Sequence, residues 1–166
     1  MTLRIPPPIL ALIAGLLMAA LNRWLPLARC IPFPWSRLCA FPGALSVVIV
    51  ATAFISFRRA RTTVNPLDPS KATQLVTGGV FSISRNPMYL GLLLVLIGWA
   101  VRLGTASPWL VVPLFWTVIT YGQIVAEEQA LTQLFGQRYA AYRCEVGRWL
   151  GRRAGGSARA GASLPE

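Results

Sequence analysis

Apolar residues run in four blocks along the chain, separated by polar stretches rich in Pro and Gly. Ile9 to Leu25 is the first. With Arg4 ahead of it, it resembles a signal-peptide core, but no clean small-x-small cleavage site stands before Asn22-Arg23-Trp24, so it reads as a retained membrane helix. Pro26 to Pro42 reads as a loop whose Trp and Phe residues suit a membrane–water boundary. Ala44 to Phe57 is the second block, opened by Pro42-Gly43 and ended by Arg58-Arg59. It falls short of the roughly 20 residues a span needs; Leu38 to Phe41, or local thinning of the bilayer, closes the gap. Met88 to Leu103 is the third block, and Trp109 to Ala126, closed by Glu127-Glu128, is the fourth. The tight turn at Gly104 to Pro108 joins these two as an antiparallel hairpin.

Beyond the fourth block the pattern changes. Leu131, Phe135, Tyr139, Tyr142, Val146 and Trp149 recur at helical spacing, with Gln133, Gln137, Arg138, Arg143 and Arg148 mostly off that stripe. This predicts an amphipathic helix along the membrane surface, with Gly136 as a point of interruption. Within the third block Gly91 and Gly98 are seven apart, so they share a stripe where another backbone or a ligand can approach. Ala60 to Arg85 is a long polar connection holding Thr62-Thr63, Asn65-Pro66, Asp68-Pro69 and Gly78-Gly79, all turn chemistry. The pattern predicts an all-α integral membrane protein of about four transmembrane helices plus a C-terminal amphipathic interfacial helix. Residues 1–150 read as one membrane-embedded domain, and 151–166 as a basic disordered tail.

Composition agrees: 55% of the 166 residues are hydrophobic and 13% are charged. The net charge of +11 would suggest nucleic acid in a soluble protein. Beside these apolar runs it points to anionic lipid headgroups instead, and no nucleic-acid partner is expected. The chain has no His, which excludes His-based nucleophile pairs and His-ligated metals within it. Cys30, Cys39 and Cys144 lack metal-type spacing and read as packing residues, although a Cys30–Cys39 disulfide stays open. No metal site is expected. With the N-terminus cytoplasmic and four spans, all sixteen basic residues except Arg23, Arg29, Arg37 and Arg102 fall inside, so both termini are placed in the cytoplasm of an inner or plasma membrane. The acids Asp68, Glu127, Glu128, Glu145 and Glu166 fall on that side too.

Two features therefore converge on one face. Asn86-Pro87 is a helix start: Asn accepts from the first free N–H groups, and Pro suits the first helical position. Arg85 and the open first turn make an anion site there. Tyr89 shares that face only if Arg85 joins the helix, which Pro87 disfavours. The plainer reading is a capped membrane helix anchored by an interfacial Arg and Tyr. At the end of the neighbouring block stands the Glu127-Glu128 pair. Two carboxylates at a helix C-terminus oppose the helix dipole, and they point about 100° apart, so one of them faces inward. The plainer reading there is solvation, or pairing with Arg138. Cationic and anionic ends about one ligand apart would suit a zwitterion bearing an amino acid group.

The pattern Leu75-Val76-Thr77-x-Gly79-x-Phe81-x-x-x-Arg85-Asn86-Pro87-Met88-Tyr89-Leu90-Gly91, followed by Glu127-Glu128-x-x-Leu131-x-x-x-Phe135-Gly136-x-x-Tyr139-x-x-Tyr142-x-x-x-Val146, resembles the membrane methyltransferases of the isoprenylcysteine carboxyl methyltransferase and phospholipid methyltransferase superfamily. The likeness covers roughly Asn65 to Trp149, which makes 66–149 the cofactor-binding part. It implies S-adenosylmethionine as methyl donor, S-adenosylhomocysteine as product, and a lipid or lipophilic acceptor entering from the bilayer. Carried over by position, Arg85, Asn86 and Tyr89 line the cofactor pocket, Glu127 or Glu128 holds its polar groups, and Tyr139 helps to close it. Many relatives have His where this chain has Asn86, and Asn cannot titrate near neutral pH.

Methyl transfer from a sulfonium needs alignment and a dry pocket more than a base, so no catalytic residue is assigned. The sulfonium charge is lost in the transition state, and an anionic lining at sulfur would favour the ground state. The Glu residues are therefore assigned to the cofactor's ammonium or ribose. The acceptor class is a lipophilic or small thiol, amine or carboxylate. Two alternatives stand beside this one: a non-catalytic membrane scaffold or small transport subunit, and a membrane reductase relative using NADPH. Oligomeric state is open, since Gly91 and Gly98 could pack within the chain or against a second copy.

Overall fold

The computed structural model describes residues 5–60 and 74–152. The turn chemistry at Thr62-Thr63, Asn65-Pro66 and Asp68-Pro69, and the tail from Arg153 onward, lie outside the described residues. Five helices carry the fold: α1 (Pro7–Trp24), α2 (Ala40–Arg59), α3 (Pro87–Leu103), α4 (Val111–Ile119) and α5 (Val125–Glu145). No strand occurs among the described residues. Three helical stretches are long and apolar enough to cross a membrane: Pro7–Trp24, Trp35–Arg59 and Ser107–Glu145, the second including a 3₁₀ turn that opens α2. The shorter apolar α3 completes the set. At 1.5 Å per residue its 17 residues reach about 26 Å, near the thickness of the hydrocarbon core. The protein is an all-α integral membrane protein.

α3 sits among the other helices and packs against α1, α2 and α4. The glycine stripe explains the close approach of α2. A Cβ at Gly91 would overlap the Val50 side chain, and one at Gly98 would stand 3.1 Å from the Cys39 carbonyl. Ser46 Oγ donates to the Gly91 carbonyl at 2.8 Å, a buried bond between the two helices. So both glycines pack a helix of the same chain. The larger core cluster joins α1 (Ala14, Met18), α3 (Tyr89, Leu96, Ala100) and α4 (Phe115, Ile119). Elsewhere α1 and α2 expose Leu12, Leu16, Val47 and Val48, surfaces suited to lipid tails. Away from the site, Gly104 (φ 77) ends α3, and its carbonyl accepts from the Cys30 and Ile31 amides at 2.9 and 3.0 Å. This ties the α1–α2 connection to the α3–α4 turn.

Three expectations are corrected. The fourth helix does not end at the Glu pair: α4 passes through a π-turn (Thr120–Ile124) into α5. Glu127 and Glu128 thus stand in the first turn of α5, and the supposed conflict with a helix C-terminus does not exist. The helix breaks at Gly136 (φ 51), as its sequence suggested, and stops at Glu145, so Trp149 lies beyond it. Finally, all three cysteines are free, with Cys30 and Cys144 exposed rather than packed.

The amphipathic stripe is real. Tyr139, Tyr142 and Val146 are buried with Phe81 and with Ala53 of α2, and Leu131 and Phe135 lie alongside. The stripe covers the loop leading into α3 and the end of α2.

Candidate active site

The site forms where the start of α3, the start of α5 and the chain after α5 meet. Pro87 opens α3 and disfavours helical geometry at Asn86, which is the non-helical N-cap, so Arg85 lies outside the helix. Asn86 does not act as a side-chain cap. Its amide Nδ2 instead donates to the Arg148 carbonyl at 3.0 Å, while its backbone N–H donates to Ser84 Oγ at 3.1 Å. The side chain expected to cap the helix is instead tied to the C-terminal segment, and the first N–H groups of α3 gain no bond from it.

Glu128 is the centre. Arg85 Nη1 stands 2.8 Å from its Oε1, with the Arg85 side chain 4% exposed and that of Glu128 6%. Arg148 approaches from the other side, donating from Nε to Oε1 at 3.0 Å and from Nη2 to Oε2 at 2.7 Å. A charge this deeply buried is tolerable because it is paired and hydrogen-bonded on both oxygens. These bonds push the Arg148 guanidinium still further above its ordinary range, against the smaller opposing effect of its burial. Glu127 also turns inward, accepting from the Tyr89 hydroxyl at 3.0 Å. So both members of the pair are engaged, not one, and neither is paired with Arg138 in this arrangement. Tyr139 lies at the edge, its hydroxyl 3.5 Å from Arg85 Nη1.

The expected gap of one ligand between cation and carboxylate is absent: Arg85 and Glu128 touch. The space lies to one side. A cavity of about 410 Å³ opens beside the cluster, lined by Glu128, Gln129, Thr132, Gln133, Arg143 and Arg148. Of the predicted site residues only Glu128 is on its wall. Arg85, Asn86, Tyr89, Glu127 and Tyr139 join the hydrogen-bonded cluster behind it.

Sequence reasoning passed over Arg148 and the segment that carries it. Val146 and Arg152 pair as a bridge, closing a short turn. That turn straps the loop before α3: the Arg85 amide donates to the Gly147 carbonyl at 3.1 Å, and the Gly151 amide to the Ile83 carbonyl at 2.9 Å. Trp149 packs beside Trp116, 6.1 Å between ring centroids. The available signal was Gly147 and Gly151, a poor helix continuation after Glu145. The regular spacing of Val146 and Trp149 masked it.

A family model described as phospholipid methyltransferase matches residues 38–138, more than half of the chain. The chain belongs to the phospholipid methyltransferase family. The match runs from the start of α2 through α3 and the Glu pair to just before Tyr139, so it supports a membrane methyltransferase and a lipid-related substrate at the level of the family. An uncharacterized protein of Haemophilus influenzae is 46% identical over 63 residues, which is 38% of this chain and 100% of that relative. No solved structure matches.

Proposed function

We propose that the protein transfers a methyl group from S-adenosylmethionine to a lipophilic or small thiol, amine or carboxylate acceptor at the cytoplasmic face of the membrane. One observation carries this reading: in a chain of this family, the Arg85–Glu128–Arg148 cluster and the Tyr89–Glu127 pair stand together where α3 and α5 begin, beside a cavity that Glu128 and Arg148 line.

The donor set suits the cofactor. The cavity's volume lies within the range of small-molecule sites. Its guanidiniums match a carboxylate, its Glu carboxylate an ammonium or ribose hydroxyls, and its Gln side chains the edge of a purine. Behind it, Arg85 Nε and Trp149 Nε1 are buried donors with no hydrogen-bond partner among the described residues. Glu128 and Arg148 would hold the cofactor from the cavity wall, and Arg85, Asn86, Tyr89, Glu127 and Tyr139 would position that wall from the cluster behind it. The bound donor supplies an electrophilic methyl group on a cationic sulfur.

The chain's own part is binding and alignment. Arg85 and Arg148 lock the Glu128 carboxylate, and Tyr89 fixes one oxygen of Glu127 and leaves Oε1 as an acceptor. Asn86 is committed to the strap and offers no titrating group, so an acceptor already bearing a lone pair is the fitting nucleophile. The cytoplasmic orientation follows from the distribution of basic residues.

Calorimetry of detergent-purified protein with S-adenosylhomocysteine tests the reading, with NADPH as the control. Saturable binding by the wild type, lost in an Arg85→Ala, Glu127→Ala double variant, is expected. Heat no greater than that of the double variant defeats it.

A further inference from the structure

Arg148 holds an unusual place. It lies beyond residue 138, where the family match ends, yet it grips the central carboxylate and lines the cavity. Arg85 is enclosed, at 4% side-chain exposure, whereas Arg148 is 34% exposed. A guanidinium has five N–H donors in a rigid fork. Arg148 uses Nε and Nη2 on Glu128, and its Nη1 has no partner among the described residues.

The wall around it is net positive, since Arg143 and Arg148 stand there with Glu128 as the one acidic lining residue. Glu128 is already shared with Arg85, so its charge is spent twice. The head group is thus aimed by Glu128 on one edge, anchored from behind through the strap, and open on its remaining edge.

We propose that Arg148 is the anion-recognition residue of the cavity, taking a carboxylate or phosphate oxyanion on the free edge of its guanidinium. Glu128 sets the plane of the fork. The strap fixes its height through the Asn86-to-Arg148 carbonyl bond and the Arg85-to-Gly147 bond. The proposal rests on the methyltransferase reading above. The oxyanion has two sources consistent with that reading, the carboxylate of the methyl donor's amino acid end and the phosphate of a lipid headgroup.

The test compares ligands that differ by that group. Wild type, Arg148→Ala and Arg148→Lys are titrated with S-adenosylhomocysteine and with 5′-methylthioadenosine, which keeps the sulfur nucleoside and lacks the carboxylate. A second pair is a short-chain phosphatidylethanolamine and the matching diacylglycerol. Arg148→Ala is expected to weaken S-adenosylhomocysteine by about tenfold or more and 5′-methylthioadenosine by less than about threefold. Arg148→Lys falls between them, keeping charge and losing the fork, and decides the matter if the Ala variant does not fold. The same split within the lipid pair alone assigns the oxyanion to a phosphate and supports the proposal in that form. Equal weakening of both members of each pair, or none, overturns it, since a merely structural role moves all ligands together. A wild type that binds no nucleoside instead defeats the proposed function, and the lipid pair still decides Arg148.

Discussion

Arg148 lies twenty positions after Glu128 and holds both of its carboxylate oxygens, at 3.0 and 2.7 Å. No helical register brings them together; the break at Gly136 and the turn after Glu145 do. With Arg85 on the same carboxylate, Glu128 joins three separate parts of the chain.

Replacing Glu128 by Ala strands a guanidinium that is 4% exposed. The expected cost is about 3–5 kcal/mol, because an uncompensated buried charge remains. Glu127→Ala removes one charge-assisted bond from Tyr89 and should cost less, about 1.5–3 kcal/mol. Thermal unfolding of the two variants in one detergent checks the order; equal stability would refute the central place of Glu128.

The helix contact through Gly91 makes a second test. Gly91→Ala forces a methyl group onto Val50 and Ser46, and overpacking of this kind costs about 1–3 kcal/mol. Gly15→Ala in α1 meets nothing within 4 Å and should be neutral or stabilising by about 0.5–1 kcal/mol. Denaturation midpoints of the pair separate packing from general sensitivity to glycine loss.

Tyr142 anchors α5 to the loop before α3 by donating from its hydroxyl to the Phe81 carbonyl at 2.6 Å. Tyr142→Phe leaves that buried carbonyl unpaired, at a cost of roughly 1–3 kcal/mol. Amide exchange around residues 79–84 should accelerate in the variant. Unchanged exchange there would show that the loop is held by other means.

Gly147→Ala probes the strap itself. A Cβ there would stand 2.5 Å from the Leu150 carbonyl oxygen and 3.0 Å from that of Gly151, both backbone. The turn must open, carrying Arg148 from Glu128. Binding of S-adenosylhomocysteine should fall by at least about tenfold, with the membrane helices intact by circular dichroism. Wild-type affinity in this variant would show that the turn contributes nothing to the site.

Much of the fold could be read in the sequence because its signals are periodic and local. The apolar blocks, the Asn86-Pro87 helix start, the Gly91–Gly98 stripe and the inward face of Tyr139 and Tyr142 all follow from spacing. The meeting of Arg85 with the Glu pair followed from the hairpin. What could not be read depended on breaks in periodicity. The π-turn lets the fourth helix run on through polar residues, and Gly136 redirects it. Arg148 reaches Glu128 only through the break at Gly136 and the turn after Glu145, so its place beside the regular stripe gave no sign of its partner. The Asn86 side chain was misjudged for the same reason, as its bond partner lies 62 residues away.

The wide turn at Thr120–Ile124 sets the rotational phase of everything after it. A π-turn holds one residue more than the α-turn it replaces, and each residue of a helix sweeps about 100°. Straightening that turn to α geometry with its residue count unchanged would swing Glu127 away from the Tyr89 hydroxyl and Glu128 away from both guanidiniums without altering any side chain. Deleting one residue there would instead let the turn straighten and leave the pair in phase. The alignment of the acidic pair is thus written in the width of one turn along a membrane-crossing rod, at a place where none of the site's own groups resides.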